Sequence, residues 1–167
     1  GDYQKRSRER YESLLSGRSL YNKVEVVNLG SKLSQDESVD AILTFRNLHN
    51  WLGTSKPSIE TIFSQSYEAL KSGGVFGVVE HRAHPGISID AMKESGYVTE
   101  ELAIKLANKA GFTFVGSSEI NSNSKDTKDH PKGVWTLPPS YRLKEKDRQK
   151  YQEVGESDRM TLLFKKP

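Results

Sequence analysis

The chain has 167 residues, a length typical of one or at most two domains and sufficient to bury a hydrophobic core. Its 25 Lys and Arg against 22 Asp and Glu give a net charge of +3, which does not by itself indicate a nucleic-acid partner. Cysteine is absent, which excludes disulfides, thiolate metal sites and a cysteine nucleophile, and no apolar run approaches the roughly 20 residues that a membrane span needs.

The first predicted elements are a helix and two strands. Residues 2–15 carry a partial apolar stripe, including Tyr3, and the helix ends at Gly17. Residues 23–29 contain three valines, which is typical of a strand. Residues 39–45 are almost continuously apolar, and this predicts a strand covered on both faces, as in a parallel sheet.

The later elements alternate between helices and strands. They are a helix over 59–70, a strand over 75–79, a loop or short helix over 83–96, a helix over 100–110 between Thr99 and Gly111, a strand over 112–120, a helical turn over 147–152 and a strand over 160–164. This alternation predicts an α/β fold with a mostly parallel sheet. The last two strands lack a clear crossover helix between them, so we expect an antiparallel pair at one edge.

Chemically rich segments follow the predicted strands. In open parallel sheets, ligands bind outside the carboxyl ends of the strands. This rule selects residues 28–30, 45–51 and 80–82, where the chain changes from apolar to polar. Structural roles remain open for two of these residues, because Trp51 can cover the core and Asn50 can cap the following turn.

Several common catalytic motifs are missing from the sequence. It contains no Gly-rich phosphate loop, no G-x-S-x-G turn and no H-E-x-x-H zinc motif. His81 and His84 lie near Glu80, but their spacing is not specific for a metal, so we expect no metal site. Hydrogen bonding within a pocket is the favoured interpretation for His81 and His130.

A set of longer phrases carries a family resemblance. They are DAILTF followed by RNLHNWL, ALKSGGVFGVVEHR, GYVTEE, SSEIN, DTKDHPKGVWTLPPS and GESDRMTLLF. Together they resemble a family of bacterial class I S-adenosylmethionine-dependent methyltransferases. The resemblance implies a Rossmann-like sheet of seven strands in the order 3-2-1-4-5-7-6, with strand 7 antiparallel. Residues 23–29 then correspond to strand 3, and the four later strands to strands 4, 5, 6 and 7.

The resemblance covers only part of that sheet. Strands 1 and 2 have no counterpart, so the chain is expected to be a single, N-terminally truncated methyltransferase-like domain over 1–167, with an incomplete sheet. Either a preceding part is omitted, or strand 3 pairs with strand 4, or another chain fills the gap in a domain-swapped homodimer. The compartment stays open between the cytoplasm and, if a preceding segment carries an export signal, the periplasm.

The resemblance also implies a site for S-adenosylmethionine and a small-molecule acceptor. The residues expected near the cofactor are Leu29, Gly30, Ser31, Phe45, Arg46 and Asn47. Those expected to bind the acceptor are Asn50, Trp51, Arg82, His130 and Trp135. The catalytic candidates are His49 or His81 as a general base and Glu80 as the carboxylate that orients it. A buried polar network that braces the loops is the structural alternative, and a non-catalytic binding module is the functional one.

Overall fold

The computed structural model describes residues 2–167, with the side chains of residues 5–167. The helices are α1 (Asp2–Ser16), α2 (Leu48–Leu52), α3 (Ile59–Ala69), α4 (Ile89–Ser95), α5 (Glu100–Ala110) and α6 (Arg148–Val154). The strands are β1 (Val39–Phe45), β2 (Leu70–His81), β3 (Thr113–Ser118), β4 (Pro131–Val134) and β5 (Arg159–Lys165). Over this range, no helix has both the length and the apolar character required to cross a membrane.

Four of the strands form one sheet in the order β1-β2-β5-β3. β1 pairs with β2 in parallel, whereas β5 pairs antiparallel with both β2 and β3. β1, β2 and β3 therefore point the same way and β5 runs against them. This confirms the predicted mixed α/β fold. The antiparallel pair lies at one edge of the sheet, where β3 is outermost and covers β5.

Helices α3 and α5 cover one face of the sheet and create the core. Ser58 caps α3 and Thr99 caps α5, each by accepting a hydrogen bond from a backbone N–H of the first turn. Aromatic rings meet beneath the helices, where Phe76 of β2 stacks on Phe112 with their centroids 5.1 Å apart. The local signals for α5 were sufficient, since its predicted range of 100–110 is the observed one.

The opposite face of the sheet is apolar and exposed to solvent. Leu43 and Phe45 of β1 are 62% and 57% exposed, and Val115 and Leu163 are also exposed. The prediction that β1 is covered on both faces is therefore wrong. Its apolar run indicated that both faces suit burial, but a run of residues does not show which neighbouring elements are present to cover it.

The predicted strand over residues 23–29 is not formed. Its only ladder contact is an isolated bridge between Leu29 and Ser31, and Val24 and Val27 remain exposed. A β-strand needs a partner for its backbone groups. The resemblance places this segment two strands away from β1, and within residues 2–167 the partner of β1 is β2 alone. Pairing of this segment with β1 is therefore not observed.

Other differences concern short elements. α2 lies where the sequence indicated a loop, and α4 is the helix that forms within 83–96. β2 begins at Leu70, whereas the sequence predicted a strand that starts at residue 75. The N-terminal helix is present as predicted, although the side chain of Tyr3, part of its predicted stripe, lies outside the described residues.

Candidate active site

The carboxyl ends of β1 and β2 lie side by side. Phe45, the last residue of β1, is paired with Val79, and the backbone N–H of Arg46 donates to the Val79 carbonyl at 2.7 Å. Arg46 has a positive φ of 56°, so the chain turns sharply here and enters α2. This turn brings His49 of α2 next to Glu80 and His81 at the end of β2.

Glu80 anchors the centre of the site. It is completely buried, and its carboxylate accepts hydrogen bonds from His49 Nδ1 at 3.0 Å, from the His49 backbone N–H at 3.2 Å and from the His81 backbone N–H at 2.8 Å. A buried carboxylate is tolerable only with such donors. With Nδ1 of His49 committed to Glu80, Nε2 is the ring nitrogen left for a ligand.

His81 is held as a neutral ring beside His49. Its Nδ1 lies 2.5 Å from Ser157 Oγ, and its ring centroid is 5.4 Å from that of His49. Burial is the main cause that lowers the pKa of His81 to about 3, with smaller electrostatic contributions from His49, Arg46 and Arg159. At neutral pH this imidazole is therefore uncharged and a weak base.

Both histidine rings border a cavity of about 240 Å³. Its other walls come from the end of β1, from the loop after β4 and from the start of β5: Phe45, Arg46, Val134, Trp135, Pro138, Pro139, Ser140, Glu156, Ser157 and Arg159. Trp135 meets His49 edge to face with centroids 5.9 Å apart. Behind Trp135, the guanidinium of Arg142 lies 4.6 Å from the ring centroid on the indole.

Gly133 fixes the position of the loop that carries Trp135. Its φ is +55°, and a Cβ atom placed on it would lie 2.1 Å from the carbonyl oxygen of Ser95. Only glycine fits such a close approach to the end of α4. The strand β4 is thereby held against α4, and Trp135, two residues further on, lies against His49.

The same three side chains have the composition of a metal site. One ligand atom each from His49, Glu80 and His81 lies within 4.8 Å of the other two. Two observations oppose a cation there. The Glu80 carboxylate is occupied by its three donors, and the guanidinium groups of Arg46 and Arg159 line the same cavity. The expectation of no metal stays a prediction.

Two of the residues expected to bind the acceptor, His130 and Arg82, form hydrogen bonds and ion pairs outside the cavity. The Nε2 atom of His130 is 2.8 Å from Asp126, which also accepts hydrogen bonds from the Tyr97 hydroxyl and the Asp158 backbone N–H. Arg82 binds the carboxylates of Asp158, Glu119 and Glu100. The structure thus places His130 and Arg82 in networks that join loops to the sheet, and neither residue is in the cavity wall.

The remaining predicted residues are more scattered. Asn50 on α2 and Asn47 just before it are exposed, and Trp51 packs against the main core. Leu29, Gly30 and Ser31 lie in the irregular segment before β1, where Gly30 approaches Pro57: a Cβ on Gly30 would be 3.1 Å from the Pro57 ring. Among the expected cofactor residues, Phe45 and Arg46 are the two that border the cavity.

Sequence reasoning missed the contribution of residues 156–159. Arg159 binds Glu156 at 2.7 Å in this segment. Ser157 and Arg159 also line the cavity, because β5 is antiparallel to β2 and its first residue is paired with His81. The strand order implied by the resemblance contained this signal, since it brings the start of the last strand to the carboxyl end of its neighbour.

Comparison with known proteins identifies the fold. No protein-family model and no curated protein matches the chain, but solved structures do. A protein from Galdieria sulphuraria assigned as a sarcosine dimethylglycine methyltransferase superposes with a TM-score of 0.60 at 17% identity, over 99% of this chain and 67% of that one. A SAM-dependent methyltransferase from Methanosarcina mazei gives 0.56 at 13% identity, over 93% and 74%.

The [4+2]-cyclase SpnF is also similar, with a TM-score of 0.55 at 17% identity. The match covers 98% of this chain but only 61% of SpnF, so the chain spans less than two thirds of that structure. At these identities the likeness concerns the fold and not the reaction. The sheet order, the antiparallel β5 and the solved relatives agree, and the chain has the Rossmann-like fold of the class I SAM-dependent methyltransferases.

Proposed function

We propose that this chain is the acceptor-binding part of a methyltransferase that uses S-adenosylmethionine, and that its acceptor is a small molecule. The observation that carries the proposal is the buried pair of Glu80 and His49 beside a cavity of about 240 Å³ at the carboxyl end of the sheet. Ligands of open α/β sheets bind at that end. The fold supports the choice of reaction.

His49 is the proposed general base. S-adenosylmethionine, when bound, supplies a sulfonium methyl group for in-line transfer to the acceptor's oxygen or nitrogen. As the new bond to the methyl group forms, His49 takes the proton of that oxygen or nitrogen at Nε2. Glu80 holds the ring through Nδ1 and stabilises the imidazolium that results. His81, with a pKa of about 3, is too weak a base for this step and serves as a neutral wall.

Residues at the end of β1 fit the expected contacts with the cofactor. Phe45 is largely exposed and borders both the cavity and the open apolar face of the sheet, so its ring is available to a second ligand beside the acceptor. Arg46 and Asn47 follow it directly. Leu29, Gly30 and Ser31 are kept as proposed contacts at the adenine end, and polypeptide outside residues 1–167, or a second copy, would supply the rest of the cofactor site.

A non-catalytic binding module is the second candidate. SpnF is a cyclase by name and has a similar fold, so the fold is not confined to methyl transfer. A binding module would keep the cavity and the braced histidines without needing a base. The two candidates differ in one respect: only the enzyme converts S-adenosylmethionine in a way that depends on His49.

The test uses the intact protein and S-adenosylmethionine labelled in its methyl group. We expect calorimetric binding of the cofactor and label transfer to a small molecule, with transfer lost in His49→Ala. His84→Ala is the control, because His84 is exposed and bonds only to the Thr127 carbonyl among the described residues. Binding without transfer would support the module instead. If His49→Ala and His81→Ala both leave turnover unchanged, the assignment of the base is wrong.

A further inference from the structure

Two arginines contribute positive charge to the wall of the cavity. Arg46 and Arg159 both border it, together with the two histidines. Arg46 makes no ion pair with any described residue, and its side chain follows directly from the end of β1. An exposed arginine without a carboxylate partner beside a cavity is available to an incoming anion.

Only some of the hydrogen-bond donors of Arg159 are used by its partner Glu156. One of its terminal nitrogens binds the Glu156 carboxylate at 2.7 Å, but its Nε atom is buried and has no hydrogen-bond partner. The side chain as a whole is 20% exposed. A guanidinium has five N–H donors in a fixed plane, so one carboxylate leaves donors free. The buried Nε atom is not accessible from the cavity, so the donors that a ligand can reach are those of the terminal nitrogens.

The negative groups nearby cancel only part of this charge. Glu80 is completely buried, is not part of the cavity wall and is occupied by its three donors. Glu156 lies in the cavity wall and is bonded to Arg159, so the positive charge of Arg46 is the one left without a carboxylate partner in that wall. The low pKa of His81, to which Arg46 and Arg159 contribute, is consistent with a positive potential in the cavity.

The remaining walls are flat and apolar. They consist of the rings of Phe45 and Trp135 and of two consecutive prolines, Pro138 and Pro139. A volume of about 240 Å³ is small for a ligand site and suits a single ring with short substituents. Aromatic walls favour a planar ligand that can stack or meet them edge to face.

We propose that the acceptor is a small hydroxylated aromatic carboxylic acid, whose carboxylate is bound by Arg46 and Arg159 and whose hydroxyl faces His49. This inference rests on the proposed function and names its substrate class. Guanidinium groups match the planar carboxylate and bind it through charge-assisted hydrogen bonds. Arg159 would then bind the ligand through donors that Glu156 does not use.

The test measures binding of 4-hydroxybenzoate and of its uncharged analogue 4-hydroxybenzamide by calorimetry. We expect the acid to bind at least about tenfold more tightly than the amide. Arg46→Gln and Arg159→Gln should each remove most of that preference and leave amide binding unchanged. The matched control is Arg142→Gln, since Arg142 lies on Trp135 but is not in the cavity wall. It should retain the preference.

The outcomes separate this inference from the proposed function. Equal affinity for acid and amide, binding of neither, or an acid preference that survives both substitutions would overturn the inference. Cofactor binding and label transfer are measured independently with S-adenosylmethionine. Transfer to neutral phenols but not to acids would refute the carboxylate class and keep the methyltransferase. Acid binding that depends on both arginines without any methyl transfer would refute the methyltransferase and keep the anion site.

Discussion

Among the side chains that the structure describes, two histidine–carboxylate pairs are buried, and their chemistry is the same. His49 lies 3.0 Å from Glu80, and His130 lies 2.8 Å from Asp126. The side chains are buried to a similar degree, with 7% and 6% of the two histidines exposed. The surroundings differ. His49 borders a cavity, whereas His130 packs edge to face on Tyr151, with centroids 5.7 Å apart, and is not in the cavity wall.

This difference separates a pair that a ligand can reach from a pair that only joins parts of the fold. Asp126 collects donors from three separate parts of the chain: the Tyr97 hydroxyl, the Asp158 backbone N–H and His130. Every one of these bonds joins protein to protein. In the other pair, the carboxylate is equally occupied, but one nitrogen of the histidine ring is left over beside an open volume. The presence of a histidine–carboxylate pair is therefore not sufficient to identify a catalytic site.

The largest expected effect is a loss of stability when the buried pair of His130 and Asp126 is disrupted. Asp126→Ala leaves the Tyr97 hydroxyl, His130 and a buried backbone N–H without their acceptor, and should lower the free energy of unfolding by about 3–5 kcal/mol. Chemical denaturation measures it. The control is Asp129→Ala, an exposed acidic residue in the same loop, which should leave the denaturation midpoint unchanged. Equal midpoints for both variants would show that the Asp126 network does not stabilise the fold.

An intermediate effect on stability is expected when the pH is lowered, and it comes from His81 beside the cavity. The pKa of His81 is about 3 in the folded state against 6.5 ordinarily, because burial and nearby positive charge disfavour its protonation. Between pH 6.5 and 3 the unfolded chain therefore binds a proton that the folded chain does not. Stability should fall with decreasing pH across that window, by at most about 1.4 kcal/mol per pH unit.

His81→Gln should flatten this dependence, and His84→Gln should not. Asp158 acts in a different window: although burial opposes it, hydrogen bonds from Arg82 and Lys128 hold its pKa well below the usual range. Its contribution is present above the ordinary carboxylate range near pH 4 and is lost only at lower pH. Denaturation midpoints at pH 7, 6, 5 and 4 separate the two. An unchanged slope in His81→Gln would contradict the buried neutral histidine.

The smallest expected effect is the loss of stability when one hydroxyl group next to the pair of His130 and Asp126 is removed. Tyr97→Phe removes the hydroxyl that donates to both Asp126 oxygens at 3.0 Å, and should cost about 1–2 kcal/mol of stability. Burial and Asp126 raise the pKa of Tyr97, so it remains a donor at physiological pH. Tyr151→Phe keeps the ring that packs on His130 and should change stability much less. Equal losses in the two variants would place the stabilisation in ring packing and not in the Tyr97 hydroxyl.

The parts of the fold that depend on local signals were predictable from the sequence. Thr99 and Gly111 delimit α5 correctly, because a cap acts on its own helix. The strand at 23–29 was mispredicted, because a strand exists only with a partner, and pairing is a long-range property. The apolar run of β1 correctly indicated a strand but did not reveal that one face is open.

The site was predictable to a similar extent and for a similar reason. His49, Glu80 and His81 follow strands that were correctly located, so their proximity could be anticipated from the position of strand ends. The networks around His130 and Arg82 were not predictable, because the direction of a loop side chain depends on contacts with distant residues such as Asp126 and Asp158. Ser157 and Arg159 reach the cavity only through the antiparallel pairing of β5.

The rate of methyl transfer in His49→Gln and in His130→Gln tests the central claim most directly. It is measured in the intact protein with labelled S-adenosylmethionine and an acceptor that supports turnover, after both variants have been shown to be folded. We assign the proton transfer to the pair of His49 and Glu80 beside the cavity. His49→Gln should therefore lower the rate by about 10²–10⁴-fold and His130→Gln by no more than about threefold. Equal rates in the two variants, or a larger loss in His130→Gln, would contradict it.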